Sequence, residues 1–207
     1  MSTQAAARPG GRTARNTEAV FAATIDELTE RSYSDACIES IAARAGVHKT
    51  TVYRRWGTKA ELVTQALAST AGTMIEVPDT GSAGSDLRAL ARSVQAVLSS
   101  PQGAAVTRSL LAGAVTAPEI RQLMQQFWAA RLSAISVITD RATARGEIPA
   151  GTSAEQMMHA MAAPLYHRLL VTGEPLTRRD ADLAAAAALA AAQAGVFTAG
   201  SAFPPPS

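Results

Sequence analysis

The sequence predicts an all-α protein of about nine helices, and three observations lead there. Apolar residues recur at helical spacing along most of the 207 residues. No run of alternating β-branched and polar residues bounded by turns marks a strand. Helix start and stop signals punctuate the chain. Thr58-x-x-Glu61, Thr116-x-x-Glu119, Ser153-x-x-Gln156 and Thr177-x-x-Asp180 read as capping boxes, and Gly46, Gly146 and Gly173 as stops.

In order, a basic arm containing Gly and Pro covers residues 1–14. The first helix is expected at about 15–31, with Phe21, Ile25 and Leu28 on one face. Short helices follow at about 38–45 and 48–55, and a fourth runs from the Thr58 cap towards Ala71. The polar segment 76–85 is a connector. Beyond it the pattern gives helices at about 86–99 and 101–115, the latter with Pro101 in its first turn, where a missing N–H costs little. A long helix then opens at the Thr116 box and ends near Arg145. The next runs from Ser153 to about Thr172, kinked at Pro164, and an Ala-rich helix extends from Thr177 through Phe197. The tail 199–207 is expected to be disordered.

Composition narrows the function. The chain is 47% hydrophobic and 17% charged, enough apolar surface for a core. Residues 1–60 hold nine Lys/Arg against six Asp/Glu, and residues 61–207 hold ten against eleven. The basic excess therefore sits at the N-terminal end. Cys37 is the single cysteine, so no intrachain disulfide forms, which suits a reducing compartment. The N-terminus lacks the apolar core of a secretory signal, and no apolar run reaches the ~20 residues that span a bilayer. A cytoplasmic protein without membrane contact is expected. His159 and His167 stand without an H-E-x-x-H or paired-Cys pattern, and there is no Gly-rich phosphate loop. No metal, cofactor or catalytic residue is therefore assigned.

The segment 38–62, IESIAARAGVHKTTVYRRWGTKAEL, carries the most chemistry. Two short helices meeting at a Gly have the layout of a helix-turn-helix. At about 100° per residue, Val52 and Trp56 share an apolar stripe with His48 near it, while Thr50 and Arg54 fall on the opposite one. Lys49 and Tyr53 flank one side and Thr51 the other. Such a face suits a major groove, where cations read guanine edges and Thr methyls touch thymine. Lys59, beside the free N–H groups that open the fourth helix, makes an anion site for a backbone phosphate. Arg12 and Arg15 in the arm are placed to reach a minor groove or phosphates.

On Ile41-Ala42, Ala45-Gly46-Val47, Thr51-Val52-Tyr53, Trp56 and Thr58-Lys59-Ala60-Glu61-Leu62, the sequence resembles the tetracycline-repressor (TetR) family over about 15–68. The resemblance implies that Lys49, Thr50, Tyr53 and Arg54 or Arg55 contact DNA and that Lys59 clamps a phosphate. It also implies a DNA-binding domain at 15–68 and an effector-binding and dimerisation domain at 69–198. Two positions depart from the family pattern. His48 replaces the usual Ser or Thr cap, and is either a phosphate contact that titrates near neutrality or a partly exposed spacer. Cys37 stands where a capping Thr is frequent, and reads as a small buried residue or a reactive thiol.

In the C-terminal part, Met124, Phe127, Trp128 and Arg131 lie on neighbouring turns. Met158, Met161 and Tyr166 line the kinked helix, and Leu110 and Leu111 are expected to close a cavity. These residues are the effector candidates, with plain core as the competing reading. Leu183, Ala187, Ala190 and Phe197 form a stripe expected to build a homodimer through the last two helices, placing two readers roughly 34 Å apart for a palindromic operator. A small-molecule enzyme in an all-α pocket and an effector-independent DNA-binding protein are the alternatives.

Overall fold

The structure is a computed structural model and describes residues 10–71 and 77–198. The arm residue Arg8, the first residues of the connector and the tail lie outside the described residues. Among the described residues the chain forms nine α-helices and one π-helical segment: α1 (Gly10–Glu30), α2 (Ile38–Arg44), α3 (Lys49–Trp56), α4 (Lys59–Ala71), α5 (Ala83–Ser99), α6 (Pro101–Thr116), α7 (Pro118–Ala144), α8 (Ala154–His167), the π segment (Arg168–Thr172) and α9 (Arg178–Gln193). The one β-type pairing described is an isolated bridge between Thr152 and Thr198. No described helix is long and apolar enough to cross a membrane. The chain divides into two compact units, residues 1–73 with 105–123, and residues 74–104 with 124–207.

In the first unit, α1, α2, α3 and α4 enclose a small core of Val20, Ala23, Ile38, Ile41, Ala42, Val52, Trp56 and Leu62. Helix α1 starts at Gly10, earlier than the expected residue 15. Once its core-packed turns are formed, each added residue costs little, so the helix propagates back into the basic segment. The Thr17 hydroxyl donates to the Thr13 carbonyl and the Arg15 guanidinium to the Gly11 carbonyl within these turns.

Helix α2 is tied to α1 by charge. Glu27, 2% exposed, accepts a 2.9 Å hydrogen bond from the Ser40 hydroxyl and lies 3.4 Å from Arg44 and 3.6 Å from Arg31. Arg44 also forms a two-pronged pair with Glu30. Cys37 is exposed, not buried as one sequence reading has it. Its extended backbone turns the sulfur back over α2, where it accepts from the Ser40 amide at 3.4 Å, while the Ser40 hydroxyl accepts in turn from the Cys37 amide. The thiol thus serves as the N-cap of α2, a role a hydroxyl commonly fills. Hydrogen bonds from Ser40 hold its pKa below the ordinary thiol value.

The second unit packs α5 and α8 on α9. Leu87, Ile135, Ile138, Met157, Met161, Ala185 and Ala188 are among its most buried side chains. Leu98, Ala104, Leu165, Leu169 and Ala184 form a neighbouring apolar cluster. The capping boxes at Ser153 and Thr177 are present in part and in full, respectively. The box expected at Thr116 is not. Thr116 closes α6, and Ala117 stands at the N-cap of α7 because Pro118, in the first helical position, sets the cap one residue before itself. Pro164 lies inside α8, which passes after His167 into the π segment and ends at Gly173, φ 66°. Helix α9 stops at Gln193, short of Phe197, because Gly195 takes φ 75° and reverses the chain. The Phe197 carbonyl then accepts from the Ser153 amide at 2.8 Å, and its ring packs on the unit's core.

The Cys37 cap gives a stability test. Cys37→Ala is expected to lower unfolding free energy by about 1 kcal/mol, and Cys37→Thr to preserve or raise it. Urea denaturation followed by circular dichroism at 222 nm checks both, and equal midpoints for Ala and Thr would refute the cap.

Candidate nucleic-acid interface

The reader is built on a core-facing stripe. Val52 is fully buried and Trp56 is 5% exposed, so α3 turns this edge inward. The Trp56 indole donates to Gln65 of α4 at 3.1 Å and its ring lies 5.8 Å from that of Phe21 on α1. Both turns flanking α3 depend on glycine in the left-handed region, Gly46 at φ 66° and Gly57 at φ 70°. The Thr58 hydroxyl then caps α4 by accepting from the Glu61 amide at 3.1 Å, half of the expected box.

What α3 leaves outside is polar. Lys49, Thr50, Arg54 and Arg55 are exposed, Tyr53 is 44% exposed, and Thr51 is half-buried. Three of these groups, Tyr53, Arg55 and Thr50, hold partners in the free protein. The Tyr53 phenol donates to Glu39 of α2 at 3.2 Å, which pushes its pKa above the ordinary value. The Arg55 guanidinium lies 5.0 Å from the Trp56 ring centroid. His48 is exposed at the N-cap of α3, off the buried stripe, and makes no capping bond; its Nδ1 is 3.0 Å from the Thr50 hydroxyl.

Lys59 is held differently from the others. Its ammonium donates to the carbonyls of Tyr33 (2.7 Å) and Ala36 (2.8 Å) and lies 4.2 Å from the Tyr33 ring centroid. Burial lowers its pKa. Two of its three N–H donors are therefore committed inside the unit, and one remains. Tyr33 is itself buried and close to Glu119, and its pKa is pushed up to about 12, by burial first. Arg15 is exposed on α1, while the Arg12 side chain lies outside the described residues.

Sequence reasoning did not find Glu39, Gln65 or Glu27. Each meets its partner across helices, Glu39 and Tyr53 fourteen residues apart, at spacings that no periodicity encodes.

The effector candidates separate into two groups. Met158 and Met161 are 5% and 2% exposed in the second unit's core, and Leu110 is 6% exposed, with Leu111 half-buried, in the first unit. Met124, Phe127, Trp128, Arg131 and Tyr166 are all half-buried in the second unit. There the Trp128 and Tyr166 rings lie 5.4 Å apart and tilted by 60°.

Known proteins agree with this organisation. The family described as bacterial regulatory proteins, tetR family, matches residues 20–66, and the tetracyclin repressor-like C-terminal domain matches residues 77–188. The HTH-type transcriptional regulator AqdR of Rhodococcus erythropolis is 34% identical over 68% of this chain and 68% of its own length. The DNA-binding transcriptional repressor TetR of Mycobacteroides abscessus is 35% identical over 75% of this chain and 82% of its own. In fold, a putative transcriptional regulator from Pseudomonas aeruginosa PAO1 superposes with a TM-score of 0.72 at 19% identity, covering 92% of this chain and 94% of that one. FadR from Bacillus subtilis in complex with stearoyl-CoA gives 0.69 at 18%, covering 86% and 98%. With its helix-turn-helix and C-terminal domain both matched, this chain belongs to the TetR family of transcriptional regulators.

Proposed function

We propose that the protein is a homodimeric repressor that binds a palindromic operator and is released by a small-molecule effector. The observation that carries this reading is the division of α3: Val52 and Trp56 are buried, while Lys49, Thr50, Tyr53, Arg54 and Arg55 face outward. Arg54 and Lys49 supply donors for guanine edges or phosphates, and Thr50 and Thr51 supply methyls and hydroxyls. Tyr53 exchanges Glu39 for a DNA oxygen. Lys59 offers its remaining donor to a phosphate while holding the α1–α2 connection in place. Arg12, Arg15 and His48 add backbone contacts at the edges. Residues 15–68 form the reading domain and 69–198 the effector and dimerisation domain.

The dimer reading is supported by the outer face of α9. Leu183 is 58% exposed, and Ala186, Ala187, Ala190 and Ala194 follow it at helical spacing. On α8 and the π segment, His159, Ala163, His167, Leu170 and Val171 are exposed. Small side chains let helices approach closely, and a solvent-facing Leu and Val gain from being covered. Phe197, off the helix, takes no part in this stripe.

DNA binding is tested by selection from a random duplex pool, followed by fluorescence anisotropy between 50 and 200 mM salt. An enriched inverted repeat is expected, with log K falling by about 0.9 per phosphate contact per log unit of salt. Tyr53→Ala and Arg54→Ala should each lose about 1–3 kcal/mol of binding with unchanged circular dichroism. Binding that does not discriminate the selected repeat from random DNA would defeat the reading.

For assembly, sedimentation velocity should return twice the 21.4 kDa chain mass. Ala187→Arg should shift the protein to monomer and weaken operator binding together. A wild-type monomer that still selects a palindrome would exclude this interface.

A further inference from the structure

Among the described residues of the second unit, Arg131, Arg141 and Arg168 are the half-buried arginines. Arg141 pairs with Asp79, and Arg168 pairs with Glu174 and Asp180. Arg131 pairs with no described carboxylate, although burial lowers its pKa and leaves it the most in need of one. Its guanidinium instead stacks 4.6 Å from the Phe127 ring centroid. Stacking uses the flat face of the group and fixes its orientation. The N–H donors lie in the guanidinium plane and stay available at its edge, in the fork geometry that matches an oxyanion.

Two further rings continue from the one it stacks on. Phe127 meets Trp128 edge-on at 5.8 Å, and Trp128 meets Tyr166 at 5.4 Å. The Tyr166 phenol has no hydrogen-bond partner among the described residues, and burial raises its pKa, so it stays protonated as a donor. Met124, half-buried two turns before Arg131, adds an adaptable apolar surface. One stacked cation, one unpartnered phenol and three ring faces thus converge on α7 and α8.

We infer that this cluster is the effector site and that its ligand is an organic anion, a carboxylate or similar oxyanion on a flat apolar body, held by the Arg131 fork. The inference rests on the proposal that the C-terminal domain takes a small-molecule effector, and adds the charge and shape of that molecule. The oxyanion supplies the counter-charge Arg131 lacks and accepts from Tyr166, while the body lies against Trp128 and Met124.

Two fluorescent probes that differ in charge separate the claims: 1-anilinonaphthalene-8-sulfonate, an aromatic monoanion, and N-phenyl-1-naphthylamine, its neutral counterpart. The sulfonate is expected to bind saturably and to quench tryptophan emission, with the quenching lost in Trp128→Phe. Arg131→Gln should weaken the sulfonate by about tenfold or more while leaving the neutral probe within about twofold. Arg131→Lys, which keeps the charge, should restore part of the sulfonate affinity and serves as the folding control alongside circular dichroism. 2-Naphthoate should displace the sulfonate and 2-naphthamide should not. If both probes bind and Arg131→Gln changes neither, the anion inference falls and the effector reading stands. If neither probe binds wild-type protein saturably, both fall.

Discussion

One ammonium group holds the DNA-reading unit in register. Lys59, the first residue of α4, reaches the carbonyls of Tyr33 and Ala36 in the connection between α1 and α2. Both residues are buried, so their carbonyls have no water to fall back on. The same ammonium lies over the Tyr33 ring. A single side chain therefore satisfies two backbone acceptors, fixes an aromatic ring, and sets where α4 begins relative to the α2 cap. The position of α3 follows, since it is the short helix suspended between α2 and α4, with Trp56 hydrogen-bonded to Gln65.

Around that tie the unit combines buried charge with pre-engaged surface groups. Glu27 sits in the interior with Ser40, Arg31 and Arg44 about its carboxylate. Such a group gives little net stability over a well-packed apolar residue, but it accepts few alternative arrangements of α2 on α1. At the surface, Tyr53 is held by Glu39 and His48 by Thr50. These exposed side chains of the helix-turn-helix are thus partly ordered in the free protein, so less side-chain entropy remains to be lost when they are engaged. Glu39 also places a negative charge beside the Tyr53 phenol on the exposed face of the unit.

The sequence disclosed the elements whose signals are local. Gly46 and Gly173 mark helix ends because each takes a positive φ, and Ser153 and Thr177 mark helix starts because a hydroxyl three residues before an amide can cap it. The alternation of Val52 and Trp56 with Thr50 and Arg54 separated the two faces of α3. What stayed hidden is what depends on a second segment. The commitment of Lys59 to two carbonyls involves residues 23 and 26 positions away. At Thr116 a local capping pattern competes with a stronger local rule, the preference of Pro118 for the first helical position, and the latter wins. Phe197 was placed on a helix that Gly195 had already ended. The half-buried rings of α7 and α8 looked the same as core in sequence, since periodicity reports which face is apolar and not how completely it is covered.

The grouping of residues 105–123 with α1–α4 bears on how such a protein diversifies. A Cβ on Gly113 would approach the Tyr33 side chain to 3.2 Å, the Ser109 hydroxyl reaches towards the Arg31 carbonyl, and Glu119 borders the Tyr33 phenol. The reading unit therefore draws part of its packing from a stretch of chain beyond the connector. Recombination that joined this reader to another C-terminal half at the connector would leave Tyr33, and through it Lys59, against an unrelated surface. The unit that packs together is the helix-turn-helix with the second part of α6 and the first turns of α7, so a transplanted reader would have to carry that stretch with it to keep Tyr33 and Lys59 in place.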